Sequence, residues 1–266
     1  MEAKETPKII TLTTDFGLKD PYVAEMKAVI LSISPDAIIV DVTHEVPHFN
    51  IRMGAYTLAS AVPYFPEGAV HVAVVDPGVG TRRRPIIVQA NHGFLVGPDN
   101  GLLILAAKPQ EITCIREITN TQLMLSKVSS TFHGRDIFAP AAAHLANGVA
   151  PAEFGSEIPD AVQPEFAEVT LREGVLSGEV LHVDSFGNVI TNMSSKEVVR
   201  SNLAGMVTVE VANQKIKLMF CDAYGEAALK EPLVLIGSHG YLEIAVNQGN
   251  AAEKLNVKAG DKVKVS

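Results

Sequence analysis

The first 75 residues alternate two hydrophobic periods, and that alternation restricts the fold more than any other feature of the chain. Ile9 to Thr13 is a short apolar run ending in the polar loop Thr14-Asp15-Phe16-Gly17. From Tyr22 the period changes: Tyr22, Val23, Met26, Val29, Ile30 and Ile33 recur every three or four residues, one face of a helix. Asp20 is its expected N-cap and Pro21 opens its first turn. Ala37 to Val42 reads as a second strand, Ile51 to Val62 as a second helix with Ala55, Leu58, Ala59 and Val62 inward, and Ala69 to Val75 as a third strand. A strand–helix–strand–helix–strand series implies right-handed crossovers and a largely parallel sheet. Ligands of such sheets bind beyond the carboxyl ends of the strands. Asp15 and Asp76 close the first and third strands, so both are expected on that edge.

The pattern changes in the second half. Residues between Gly155 and Gly174 are rich in Pro and Glu and read as a linker, dividing the chain into domains 1–165 and 172–266. Short β-rich runs follow: Val175 to Asp184, Val189 to Asn192, Met206 to Val211, Ile216 to Phe220, Leu233 to Ile236, Tyr241 to Val246 and Lys262 to Val265. Turn signals such as Phe186-Gly187-Asn188 and Ala259-Gly260-Asp261 punctuate them. The expected fold class is therefore α/β: an N-terminal, mostly parallel sheet with flanking helices, and a smaller C-terminal antiparallel β-barrel-like domain. A length of 266 residues suits two domains.

Composition excludes several partners. A formal charge of −8 gives no basic footprint for nucleic acid and no polybasic patch for anionic lipid. Cys114 and Cys221 form neither a metal pattern nor a disulfide framework. The start, MEAKETPK, lacks the apolar core of a secretory signal, and no apolar run reaches the roughly 18 residues a membrane span needs. A cytoplasmic location is the expectation.

Several polar positions could carry chemistry, each with a plainer alternative. Asp15 can accept from both hydroxyls of a vicinal diol, or can simply order its loop. Asp20 taken alone is a helix cap. The turn Asp76-Pro77-Gly78-Val79-Gly80-Thr81 permits close ligand approach but matches neither a dinucleotide fingerprint nor a phosphate loop. Arg82, Arg83 and Arg84 follow it; they are either a solvated turn or a source for an Asp76–Arg83 pair. His133, before an apolar helix around Phe138 to Leu145, is a cap, a core residue or a catalyst. His44, His48 and His71 could in principle hold zinc, but their spacing does not favour it. Asp184-Ser185-Phe186-Gly187-Asn188 reads as an Asx-rich hairpin turn, and Ser238-His239-Gly240-Tyr241 and Asn247-Gln248-Gly249 bracket a strand and can equally be hairpin ends.

The ordered set identifies more than any member does. TTDFG, DPYVAEMK, VVDPGVGT, VGPDNG, TFHGRDIFAP, DSFGNVITN and IGSHGYLEIAVNQG, from about Ile9 to the C-terminus, closely resemble the S-adenosyl-L-methionine (SAM) hydroxide adenosyltransferases. These are SAM hydrolases related to the fluorinase and chlorinase enzymes. The resemblance implies hydrolysis of SAM to adenosine and methionine with no metal or other cofactor. It also implies a homotrimer whose sites lie between subunits. It implies that Asp15 holds the ribose hydroxyls and that Asp20 and Asp184 bind the methionine ammonium. Ser238 and His239 would meet the carboxylate, where the halogenating relatives carry arginine at the His239 position. Asn188 would bond adenine, with backbone groups near Asn247 and Gln248, while Phe49 and Phe186 pack on flat or apolar parts. Asp76, Arg83 and His133 would surround the attacking water. The halogenating enzymes carry tyrosine at the Asp76 position; the fluorinase also has serine at the Gly134 position and an inserted loop missing here.

A sulfonium leaves as a neutral thioether and needs no general acid. The task left to the protein is to orient an oxygen nucleophile in a dry site. Aspartate paired with arginine is a weak base, so positioning is expected to contribute more than proton abstraction. A chlorinase-type halogenase, a non-catalytic SAM sensor and a metal hydrolase are the alternatives.

Overall fold

The computed structural model describes residues 7–266, and the charged start Met1–Thr6 lies outside the described residues. Two compact units meet in sequence between Pro164 and Glu165.

In the first unit, β1 (Ile9–Thr14), β2 (Ile38–Thr43), β3 (Ala69–Val74) and β5 (Gly93–Pro98) run parallel, with β4 (Pro85–Ala90) antiparallel between β5 and β6 (Ile112–Glu117). The strand order is β2-β1-β3-β5-β4-β6. Every residue of β3 is buried, as a central strand covered on both faces requires. Helices α1 (Tyr22–Ile33) and α4 (Ala139–Ala146) pack together, as do α2 (Ile51–Ala61) and α3 (Ile104–Ala107). Val23, Met26 and Ile30 form the buried stripe of α1, and the small residues Ala139, Ala141, Ala142 and Ala143 let α4 approach β1 and β3 closely. The chain leaves β1 for β2 on one side and later returns to β3 on the other, which creates a switch point beyond Thr14 and Val74, partners in the register.

Periodicity in the sequence predicts β1–β3 but not β4–β6 or α3. Two expectations fail. Asp20 does not cap α1: Pro21 occupies the N-cap position and no side chain bonds the helix end. The supposed linker contains a short 3₁₀ turn, Glu165–Ala167, and strand β7 (Thr170–Arg172), because Thr170–Arg172 pairs with Val175–Ser177 across a Glu173-Gly174 turn with positive φ at both residues.

In the second unit, β8 (Val175–Val183), β9 (Val189–Ser194), β13 (Tyr241–Val246), β12 (Pro232–Ile236), β11 (Gln214–Phe220), β10 (Met206–Val211) and β14 (Lys262–Val265) close into a barrel through the β14–β8 pairing. Strand β7 extends β8 outside the ring. Alternation is plain in β14, where Val263 and Val265 are buried and Lys262 and Lys264 exposed. The barrel is not wholly antiparallel: β11 and β12 pair in parallel at Met219–Leu233 and Phe220–Val234. Two short helices also escaped the pattern. They are α5 (Ser195–Ser201), started by a Ser194/Glu197 capping box, and α6 (Ala251–Leu255), capped by Asn250.

Candidate active site

The switch point of the first unit is braced before it is decorated. Thr14 Oγ1 bonds His44 Nδ1 at 2.8 Å, Gly17 N donates to His44 O at 2.7 Å, and Val46 N donates to Thr14 O. The loop after β1 is thereby tied to the loop after β2. Asp15, nearly buried, accepts the Phe49 N–H at 2.8 Å through Oδ2. Phe49 sits at φ +64° and is 70% exposed. A bulky residue in the left-handed region costs about 1–2 kcal/mol, and such strain clusters at ligand sites.

Beyond β3, Asn100 Nδ2 donates to Val75 O at 2.9 Å and fixes the backbone immediately before Asp76. Asp76 is clasped by Arg83. Nε donates to Oδ1 at 3.1 Å and Nη2 donates to Oδ2, with side-chain exposures of only 7% for Arg83 and 5% for Asp76. Nη2 also donates to His133 Nδ1 at 2.9 Å. The guanidinium lies 5.4 Å over the buried Phe138 ring, and Nη1 is buried without a hydrogen-bond partner. Of the three consecutive arginines, only Arg82 stays exposed, since Arg84 bonds Asp99 and Asp160.

Arginine can only donate, so His133 Nδ1 must present its lone pair and the neutral ring carries its proton on Nε2. Burial pushes the His133 pKa down, the Arg83 charge pushes it further, and Asp76 and Asp136 partly oppose them. The ring is therefore neutral at pH 7. His133 enters a π-helical turn, Gly134–Phe138, that runs into α4, a distortion frequent at functional sites.

These groups converge on a cavity of about 290 Å³ lined by Asp15, Phe16, Asp20, Tyr22, His48, Phe49, Val74, Asp76, Val79, Thr131, Phe132, His133 and Gly134. Three carboxylates and no lysine or arginine face it, which suits a cationic ligand. Phe16, Tyr22 and Phe132 meet edge to face at centroid distances of 5.2–6.0 Å and keep one wall apolar. A Cβ on Gly134 would meet Phe132, Met26 and Phe16 at 3.2–3.4 Å, so a larger residue there would crowd that wall.

In the second unit, Asp184 closes the β8–β9 turn. Oδ1 accepts the N–H groups of Phe186 and Asn188, and Oδ2 accepts Asn188 Nδ2 at 2.9 Å. The hairpin role thus coexists with any ligand role. Phe186 projects outward and Asn188 is nearly buried. Ala252 N donates to Gly187 O, placing this turn beside the segment that follows β13, where Asn247 anchors through Nδ2 to Ala227 O and Gln248 takes φ +51°. Ser238 and His239 are exposed at the opposite end of β13. Glu243 on β13 and Tyr224, absent from the sequence reading, stand near them. The Tyr224 hydroxyl donates to Glu243 Oε2 at 2.9 Å, and a Cβ on Gly237 would overlap Glu243 Oε1. Burial and then the neighbouring Asp184 push the Glu243 pKa up, and burial and Glu243 push Tyr224 up to about 12.

The histidines considered for zinc have other occupations. His44 bonds Thr14 and lies 3.1 Å from Asp41, off the line of a good hydrogen bond, and His71 bonds Thr11 within the sheet. Among the described residues no group of three or more His, Cys, Asp or Glu is placed to hold a metal ion, and no helix is long and apolar enough to cross a membrane.

Residues 10–155 match the family described as the SAM hydroxide adenosyltransferase N-terminal domain, and residues 178–264 its C-terminal domain. The chain is 42% identical over 260 residues to an (R)-S-adenosyl-L-methionine hydrolase of Salinispora tropica, covering 97% of each chain. It is 41% identical to an enzyme of the same name from Thermus thermophilus, covering 95% of this chain and 97% of that one. A fluorinase of an Actinoplanes species is more distant, 29% identical over 100% of this chain and 99% of its own. A solved structure of an uncharacterized conserved protein from Thermotoga maritima superposes with a TM-score of 0.85 at 40% identity, covering 97% and 99% of the two chains. This chain belongs to the SAM hydroxide adenosyltransferase family.

Proposed function

We propose that the protein hydrolyses SAM to adenosine and methionine by in-line attack of water on the ribose 5′ carbon. One observation carries the reading: Asp76, Arg83 and His133 form a continuous hydrogen-bonded array at the rim of an acidic, aromatic-walled cavity.

Each member has a chemical task. Asp76, its charge opposed by Arg83, accepts a proton of the water. His133 donates from Nε2 to the water oxygen and aims a lone pair at carbon. Arg83 fixes both partners and opposes the negative charge that develops as hydroxide character grows. The C5′–O bond forms as the C5′–S bond breaks, and the electron pair stays on sulfur, giving the neutral thioether of methionine. The water proton passes to Asp76 and then to solvent, so one proton is released per turnover. No acid, metal or other cofactor is needed for this leaving group.

The remaining residues bind. Asp15, with Oδ1 left for a ligand, takes the ribose hydroxyls, Asp20 and Asp184 take the methionine ammonium, and Ser238 and His239 take its carboxylate. Asn188 and the backbone near Asn247 and Gln248 take adenine, with Phe49 and Phe186 against apolar surfaces. Burial raises the Glu243 pKa first and the Asp184 charge adds to it; an ammonium at this place would offset the second. A homotrimer with sites shared between neighbouring subunits, in the cytoplasm, completes the proposal.

The test is product analysis after mixing the purified protein with SAM, with and without chloride. Adenosine and methionine in equal amounts, unaffected by chloride, are expected. Formation of 5′-chloro-5′-deoxyadenosine would make the protein a halogenase, and stoichiometric SAM binding without products would make it a sensor.

A further inference from the structure

The loop that delivers Thr131, Phe132 and His133 to the cavity has no regular structure of its own from Met124 to Phe132. Two features hold it. On one side it presses on the Asp76–Thr81 turn so closely that a Cβ on Gly80, at φ +74°, would lie 2.1 Å from Ser130 O. On the other side stands Asp136, whose side chain is fully buried. Its Oδ2 accepts Ser129 N–H at 2.7 Å, its Oδ1 accepts Arg135 Nε at 2.6 Å, and its backbone carbonyl accepts Leu125 N–H at 2.9 Å. Arg135 in turn donates through Nη1 to Glu25 on α1 at 2.7 Å and lies 5.1 Å over the Phe132 ring. A buried carboxylate thus links the loop, the aromatic wall and α1, and nothing in the chemistry described above uses it.

We propose that Asp136 is a positioning residue for the reaction: through Ser129 and Arg135 its carboxylate holds the loop that aims His133 at Arg83 and Asp76. The inference rests on the reading that Asp76, Arg83 and His133 perform the chemistry. Removal of the carboxylate would free Ser129 and leave Arg135 without its inner partner, and His133 would sample orientations in which Nδ1 no longer meets Arg83. The charges facing His133 are Arg83, Asp76 and Asp136. With Asp136 neutralised, Arg83 is less opposed, and His133 would take up its proton at a lower pH than in the parent.

The experiment compares steady-state hydrolysis of SAM by the parent, Asp136→Asn and His133→Ala between pH 5 and 9. For Asp136→Asn the expected result is a fall in kcat of about tenfold with KM within about twofold, as for a lost orienting contact, and an acid limb displaced to lower pH. A kcat within twofold of the parent overturns the proposal. So does a fall in kcat with an unmoved acid limb, which a purely structural role would produce. Undiminished turnover in His133→Ala overturns the triad itself and this inference with it. If Asp136→Asn does not fold, Arg135→Lys, at a position one-third exposed, tests the same tie. It should lower kcat about threefold at constant KM, and parent-like turnover would refute the proposal.

Discussion

Replacing Arg83 by lysine keeps the charge and removes the geometry, and so isolates what the guanidinium contributes. Arg83 makes three hydrogen bonds from two nitrogens, two to Asp76 and one to His133 Nδ1. A lysine ammonium can retain one contact to Asp76, but it cannot span both carboxylate oxygens and the imidazole. Hydrogen bonds to charged groups contribute about 1.5–3 kcal/mol each, and part of the two lost is restored by water. A net loss of about 3 kcal/mol at the transition state corresponds to roughly a hundredfold in kcat. Arg83 is absent from the cavity lining, so KM should change only a few-fold. The retained charge also makes a distinct prediction for pH. His133 is neutral above its depressed pKa and becomes cationic as pH falls through it; Arg83→Lys should leave that acid limb below histidine's usual ~6.5, whereas Arg83→Gln should raise it. The assay is chromatographic release of adenosine across pH, with SAM affinity measured by calorimetry. A kcat for Arg83→Lys within threefold of the parent, or a loss confined to KM, would refute the orienting role.

Three further outcomes follow from the same geometry. Gly80→Ala should cost at least about 2 kcal/mol, roughly 4–8 °C in Tm, and lower kcat, because alanine is strained at φ +74° and its Cβ would displace the Ser130 carbonyl; unchanged melting and turnover would contradict this. Burial lowers the His71 pKa to about 4, so the unfolded chain binds the extra proton between about pH 6.5 and 4, and that contribution, complete above pH 6.5, is lost as pH falls through this window. His71→Asn should therefore reduce the loss of unfolding free energy between pH 7 and 5 by about 2 kcal/mol in urea titrations; an unchanged slope would exclude it. Phe49→Ala should weaken SAM binding about tenfold, with kcat within twofold, for loss of one aromatic contact; a kcat-only defect would show that Phe49 acts elsewhere.

The parts legible in the sequence were those in which local pattern and tertiary role agree. Strands β1 and β3 are short apolar runs ending in aspartates, and parallel topology alone predicts that Asp15 and Asp76 share an edge. Arg83 was readable as a partner because seven residues and a glycine turn allow it to fold back. Strands β4 to β6 were harder: β6, Ile112–Glu117, carries Thr113, Arg116 and Glu117 among its apolar residues, and pairing rather than period defines it. Asp20 looked like a cap because aspartate before proline usually is one, yet Pro21 took the cap position and Asp20 lines the cavity. Asn100, Asp136 and the Tyr224–Glu243 pair were invisible for a different reason. Their importance lies in partners at 25, 7 and 19 residues' separation, which no local period encodes. Asn100 lies within the motif VGPDNG, and its bond to Val75 O fixes the backbone that leads into Asp76.

In the proposed reaction a water held by Asp76 and His133 attacks the 5′ carbon. It is tested most directly by a single turnover of SAM in ¹⁸O-labelled water, with both products examined by mass spectrometry. One labelled oxygen in adenosine, at the 5′ position, and unlabelled methionine are expected. Label in an amino-acid product, or adenosine without label, would contradict it.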